Sequence, residues 1–122
     1  MAAVASVVTA GERWSVATAH LSLEPGVARR QLRVTLDALG ERPKPWVLAG
    51  DLNLRPPQLT DVAEEAGFDL LDGPFTINAR TGLNRRLDHV LVDGAAATAS
   101  GVAKLPCSDH LAVWADLHHG AT

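Results

Sequence analysis

Six polar residues sit where apolar runs of the chain begin or end. His20 closes the run WSVATAH, and Asp51 and Asn53 come after the run WVLAG in Gly50-Asp51-Leu52-Asn53. Asp88 lies in Arg86-Leu87-Asp88-His89 at the head of LDHVLV, and Asp109 and His110 precede LAVWADL. Carboxylates hold Mg2+ or Mn2+, while Asn and imidazole groups hydrogen-bond phosphate oxygens, so this set suits a hard cation and a phosphoryl group. In-line hydrolysis of a phosphoester needs a positioned water, a cation on the phosphoryl oxygens and donors for the developing charge. Each residue also has a plain structural reading. His20 could be a satisfied strand-end histidine, Asp51 a turn residue after Gly50, and Asn53 a cap for the next element. Asp88 could pair with Arg85 or Arg86, and Asp109 could start a turn. Rival chemistries fit less well. Ser108, Asp109 and His110 are contiguous and cannot easily face one another as nucleophile, base and orienter. Cys107 lacks an activating context and reads as a small buried thiol, and no CxxC or HxxxH spacing supports zinc.

The elements that must carry these residues are set by periodicity. Residues 3–9 and 14–20 suit two strands joined by a turn at Ala10-Gly11-Glu12, hence a hairpin. Glu24-Pro25-Gly26 breaks it. Val27, Leu32, Leu36 and Leu39 recur at helical spacing, which predicts an amphipathic helix from Val27 to about Arg42, stopped by Pro43 and Pro45. Trp46 to Ala49 reads as a buried strand running into Asp51. Pro56-Pro57 opens a loop, and Thr60 or Asp61 caps a short helix through about Ala66. Residues 67–84 are turn-rich. Leu87 to Val92, Gly101 to Lys104 and Leu111 to Leu117 read as three more strands. The order predicts a layered α/β or α+β sheet in one unit. Asp88 and His89 alternate on their strand, so His89 faces away from the site.

Composition narrows the setting. The chain has 122 residues, 47% hydrophobic and 20% charged, and a net charge of -3. That charge does not favour tight, indiscriminate binding to polyanions, yet a bound divalent cation can invert a local field. One cysteine excludes an internal disulfide. No apolar run approaches the roughly 20 residues of a membrane span, and no signal peptide is visible after Met1, so a cytoplasmic location is the expectation.

The segments Thr18-Ala19-His20-Leu21, Arg29-Arg30-Gln31-Leu32, Val47-Leu48-Ala49-Gly50-Asp51-Leu52-Asn53, Arg86-Leu87-Asp88-His89-Val90 and Ser108-Asp109-His110-Leu111 span the chain from about Trp14 to Leu117. In this order they resemble the endonuclease/exonuclease/phosphatase superfamily, whose members include DNase I-like nucleases. The resemblance implies an α/β (α+β) fold, the C-terminal half of a DNase I-like four-layer sandwich, with one mostly antiparallel sheet and helices on one face. It implies a phosphoester hydrolase using Mg2+ or Mn2+, with a nucleic acid, lipid head group or inositol phosphate as substrate. Asp51 would orient or deprotonate the attacking water, and Asn53 would hold a phosphate oxygen, both beside the metal. Asp109 would be a metal carboxylate and His110 would contact the scissile phosphate. Asp88 would bond to His110, His20 would contact the phosphate from the other side, and Arg85 and Arg86, with Arg80, would lie in a substrate-contacting loop.

Two segments of the family pattern, an early strand ending in Asn and a strand carrying a metal-binding Glu, have no counterpart before His20. Residues 1–122 are therefore expected to form a partial domain, with the N-terminal half absent and the site incomplete. A catalytically silent fragment that acts as a binding or assembly partner is the alternative. Because predicted helices cover only one sheet face, the other is expected to be exposed, with self-association or a partner chain as the consequence.

Overall fold

The computed structural model describes residues 1–71, 87–107 and 111–120. β1 (Ala2–Thr9) and β2 (Glu12–His20) form the expected antiparallel hairpin, paired from Ala2↔Ala19 to Thr9↔Glu12. Helix α1 (Pro25–Gly40) starts two residues earlier than its apolar spacing indicates. The reason is its cap: the Glu24 carboxylate accepts from the Gly26 and Val27 N–H groups at 3.0 and 2.7 Å. Pro25 fills the first turn, where its missing N–H costs nothing. Those two amides hold the Glu24 carboxyl below the ordinary glutamate range. Ala28, Leu32, Leu36 and Leu39 make a fully buried stripe down one side of α1.

β3 (Trp46–Asp51) runs parallel to β2, so β2, α1 and β3 make a crossover unit. Pro56-Pro57, expected to open a loop, instead form the first turn of α2 (Pro56–Glu65). Proline's preset φ suits that position, and the Arg55 N–H is satisfied by the Gln58 side chain at 2.8 Å. Thr60 and Asp61 therefore lie inside the helix and do not cap it. β4 (Asp69–Leu70) and β5 (Asp88–Asp93) complete a five-stranded sheet in the order β1-β2-β3-β5-β4, mixed only at the parallel β2–β3 pair.

The expected single sheet is divided. β6 (Ala95–Lys104) and β7 (Leu111–His119) pair only with each other among the described residues. Gly94, at φ +81°, separates β5 from β6 with a backbone conformation that L side chains rarely adopt. β6 also begins six residues before the expected Gly101, because its first half is small and mostly exposed and carries no alternating signal.

Two apolar cores lie on opposite faces of the larger sheet. On the helix face, Ala17, Leu48 and Leu91 pack with the α1 stripe, with Leu59 and Val62 of α2, and with Phe68. On the other face, Trp14, Val47, Val90 and Val92 are buried, and Val113 and Leu117 of β7 pack on them. The sheet face expected to be bare is thus covered at its centre by the chain's own hairpin. Large apolar side chains stay exposed elsewhere, at Val7 and Val8 of the edge strand β1 and at Trp114 on the hairpin. Cys107 is exposed, not buried as expected, because it occupies the turn after β6.

The helices are also tied by charge. Both guanidinium nitrogens of Arg29 in α1 donate to the Asp61 carboxylate in α2 at 2.9 Å. The Arg29 hydrogen bond holds the Asp61 carboxyl down at about 2, against an ordinary value of 3.8. A depressed carboxylate stabilises the fold above its unfolded pKa and loses that contribution as pH falls through its folded value. Urea denaturation should therefore show wild-type stability declining between about pH 4 and pH 2 more steeply than that of Asp61→Asn. Parallel pH profiles for the two proteins would remove this role from the pair.

Candidate active site

The sequence places polar residues at strand ends, and the strand register brings three of them together. His20 at the end of β2 is the register partner of Asp51 at the end of β3, and Asp51 is the partner of Asp88 at the start of β5. Register partners point to the same face, so His20, Asp51 and Asp88 form one row across the sheet. That face is the one covered further along by the β6–β7 hairpin. His20 Nε2 lies 3.7 Å from Asp51 Oδ2, with the imidazole largely exposed and the carboxylate mostly shielded. Two carboxylates directly opposite one another repel, and a proton, a cation or a positive ring beside them offsets that repulsion.

Asn53 joins the row through the turn after β3. Its backbone has φ 50°, a left-handed conformation that Asn tolerates better than most residues. Its N–H donates to Asp51 Oδ1 at 3.1 Å, and its side-chain amide donates to the Leu21 carbonyl at 2.8 Å. The turn that presents Asn53 is thus anchored to Asp51 and to the chain just beyond His20. One amide hydrogen is committed to Leu21, and the side-chain oxygen is the acceptor that Asn brings to a cation or a hydroxyl.

Gly50 entered the sequence reading only as the residue before Asp51, with no role of its own. A Cβ there would sit inside van der Waals contact with the Ala19 carbonyl oxygen, so the absent side chain lets β2 and β3 close up beside His20 and Asp51. A glycine inside an apolar strand is the signal for such an approach. Val113 was also missed. With Ala49, Gly50, Asp51, Asp88, His89 and Val90 it lines a concavity of about 250 Å3, so β7 walls the site. A larger cavity of about 370 Å3, lined among others by Leu21, Val27 and Val34, is mainly apolar and holds none of the expected site residues.

Asp109, His110, Arg80, Arg85 and Arg86 lie outside the described residues. His89 faces away from the row, as strand alternation requires, and is buried on the helix side. Among the described residues no three His, Cys, Asp or Glu side chains converge as a metal-binding group. Asp51 and Asn53 nevertheless offer oxygen donors of the kind that Mg2+ and Mn2+ take, and Mg2+ is commonly held by one or two carboxylates with waters and substrate phosphate. The donor set fits the cation in kind.

The model of the Endonuclease/Exonuclease/phosphatase family matches residues 2–110, and the chain belongs to that family. Its members generally act as nucleases or phosphatases, hydrolysing phosphoesters. No curated protein matches the sequence. Among solved structures, D. rerio TDP2 complexed with a single-strand DNA product is similar at TM-score 0.76 and 20% identity, over 96% of this chain and 61% of that one. The human Nocturnin catalytic domain with a bound sulfate anion matches at TM-score 0.67 and 15% identity, over 97% and 52%. An endonuclease/exonuclease/phosphatase from Beutenbergia cavernae matches at TM-score 0.68 and 26% identity, over 98% and 39%. The chain spans about three-fifths or less of each of these neighbours.

Two features of Asn53 can be separated by substitution. Asn53→Ala loses the bond to Leu21 and keeps the unfavourable φ, and should cost about 2 kcal/mol. Asn53→Gly loses the same bond but relieves the backbone, and should cost less. Equal losses in urea denaturation would mean that the left-handed backbone contributes nothing.

Proposed function

We propose that this chain carries one wall of a divalent-cation-assisted phosphoester hydrolase site. The observation that supports it is the row of His20, Asp51 and Asp88 at one sheet end, with Asn53 turned onto it. In this reading Asp51 orients the attacking water and accepts its proton, and the Asn53 side chain meets a phosphate oxygen beside it. Asp88 bonds to the His110 ring and fixes its tautomer, so that His110 can donate to the charge developing on the phosphate. His20 meets the phosphate from the other side of Asp51. Asp109, Asp51 and Asn53 would hold Mg2+ or Mn2+, which when bound polarises the phosphoryl oxygens and offsets their charge. Arg85 and Arg86 would contact substrate.

The substrate is a phosphate ester. A nucleic acid is one class, in keeping with the DNA product bound to D. rerio TDP2, and lipid head groups and inositol phosphates are the others. Among the described residues no helix is long and apolar enough to cross a membrane, and a cytoplasmic setting belongs to the proposal. We further propose that residues 1–122 form a partial domain whose site is completed by groups beyond those assigned here.

The second reading is a catalytically silent binding or assembly partner, for which the exposed apolar side chains of β1 and the hairpin are the supporting observation. Self-association would then run through Val7 and Val8 of β1 or through Trp114.

Manganese titration with NMR detection tests the cation site, and a generic phosphodiester assay tests turnover. Mn2+ should broaden the amides of Asp51, Asn53 and Asp88 first, and Asp51→Asn should weaken binding roughly tenfold, as loss of one carboxylate from a small oxygen site implies. Turnover by the chain alone should be little or none. Broadening centred away from the row would overturn the cation assignment. Robust turnover by a monodisperse monomer, abolished in Asp51→Ala, would overturn the partial-domain proposal.

A further inference from the structure

His89 is nearly fully buried on the helix side of β5, directly behind the row that holds Asp88. Its Nε2 lies 2.6 Å from the carbonyl oxygen of Leu54, a residue with no exposed surface. A carbonyl oxygen only accepts, so the ring nitrogen donates, and Nε2 carries the proton. Leu54 ends the turn that presents Asn53. Two residues earlier, the Leu52 N–H donates to the Leu87 carbonyl at 2.9 Å. The turn is therefore tied to the head of β5 twice, from Leu52 to Leu87 and from Leu54 to His89. Asn53 lies between the ties in the turn, and Asp88 lies between them on the β5 side. An apolar side chain at position 89 would pack in the same interior, but it would leave the Leu54 carbonyl without this donor.

We infer that His89 is a positioning residue, whose bond to Leu54 fixes the turn bearing Asn53 against β5 and so sets Asp51 and Asn53 relative to Asp88. The inference deepens the proposed function and rests on it for the importance of that spacing. The bond itself is independent of it. The residue borders the concavity beside Asp51 and Asp88, while its ring is buried and bonded to Leu54 behind the row.

The test uses the full 122-residue chain labelled with 15N. Wild-type His89 should carry a proton on Nε2, and that proton should be slow to exchange. In His89→Phe the Leu52 and Asn53 amides should exchange with solvent roughly tenfold faster, the size expected for one lost buried hydrogen bond. Amides of α1 and of the β1–β2 pair should change little. His89→Gln, which can still donate from its side-chain amide, should restore most of the protection and the Mn2+ broadening pattern at Asn53. A wild-type ring protonated at Nδ1 alone would overturn the inference, even if His89→Phe fails to fold. So would unchanged exchange at Leu52 and Asn53 in His89→Phe, or a glutamine variant no better than phenylalanine. If wild type binds no Mn2+ at the row while the exchange results hold, the cation reading fails and the His89 tie stands.

Discussion

The close approach of β2 and β3 beside Gly50 is the constraint on which the polar end of the sheet depends. A parallel pair has no turn of its own to set its register, so the crossover through α1 and the packing between strands must do so. At Gly50 the neighbouring backbone of Ala19 occupies the space a side chain would need. The ladder runs in unbroken register from Ser15↔Trp46 to its end, where His20 and Asp51 are partners. The antiparallel β3–β5 pair then adds Asp88 to the same row. Three polar residues separated by dozens of positions in the chain meet because two ladders share β3.

The two apolar cores give this row its rigidity from both sides. Leucines of α1 and α2 fill the helix face, where each fully buried leucine contributes roughly 1.5–3 kcal/mol relative to exposure. The β6–β7 hairpin closes the opposite face with Val113 and Leu117 over Val47, Val90 and Val92. Val113 belongs to that second core and also lines the concavity beside Asp51 and Asp88. The hairpin is thus both a cover for the sheet and a wall of the site. A site built on strand ends in this way is held by the ladders themselves, and only the turn carrying Asn53 needs separate anchoring.

That anchoring is distributed. Asn53 is bonded to Asp51 and Leu21, Leu52 to Leu87, and Leu54 to His89. Each bond is worth only about 1 kcal/mol, yet together they hold a left-handed residue in place between two strands. A phosphate or a cation bound at this end would meet groups already set in position, which is the physical basis of catalysis by preorganised charge.

Much of this was legible in the residues alone. Strand and helix types came from apolar periodicity, which is a local property. Polar residues at the ends of apolar runs located Asp51, Asn53, Asp88 and His20, and strand alternation turned His89 away from them. Helix starts were less legible, because Glu24 and the Pro56-Pro57 pair act as helix openers and also look like breakers. The division into two sheets depended on the backbone angle at Gly94, and the cover over the second face depended on where the hairpin then fell. Neither is encoded in a local pattern. The sequence by itself determined which residues could do chemistry, since residue type and strand-end position are local. Only the tertiary structure decided that His20, Asp51 and Asp88 share a row, because register between distant strands is set by packing and close backbone approach.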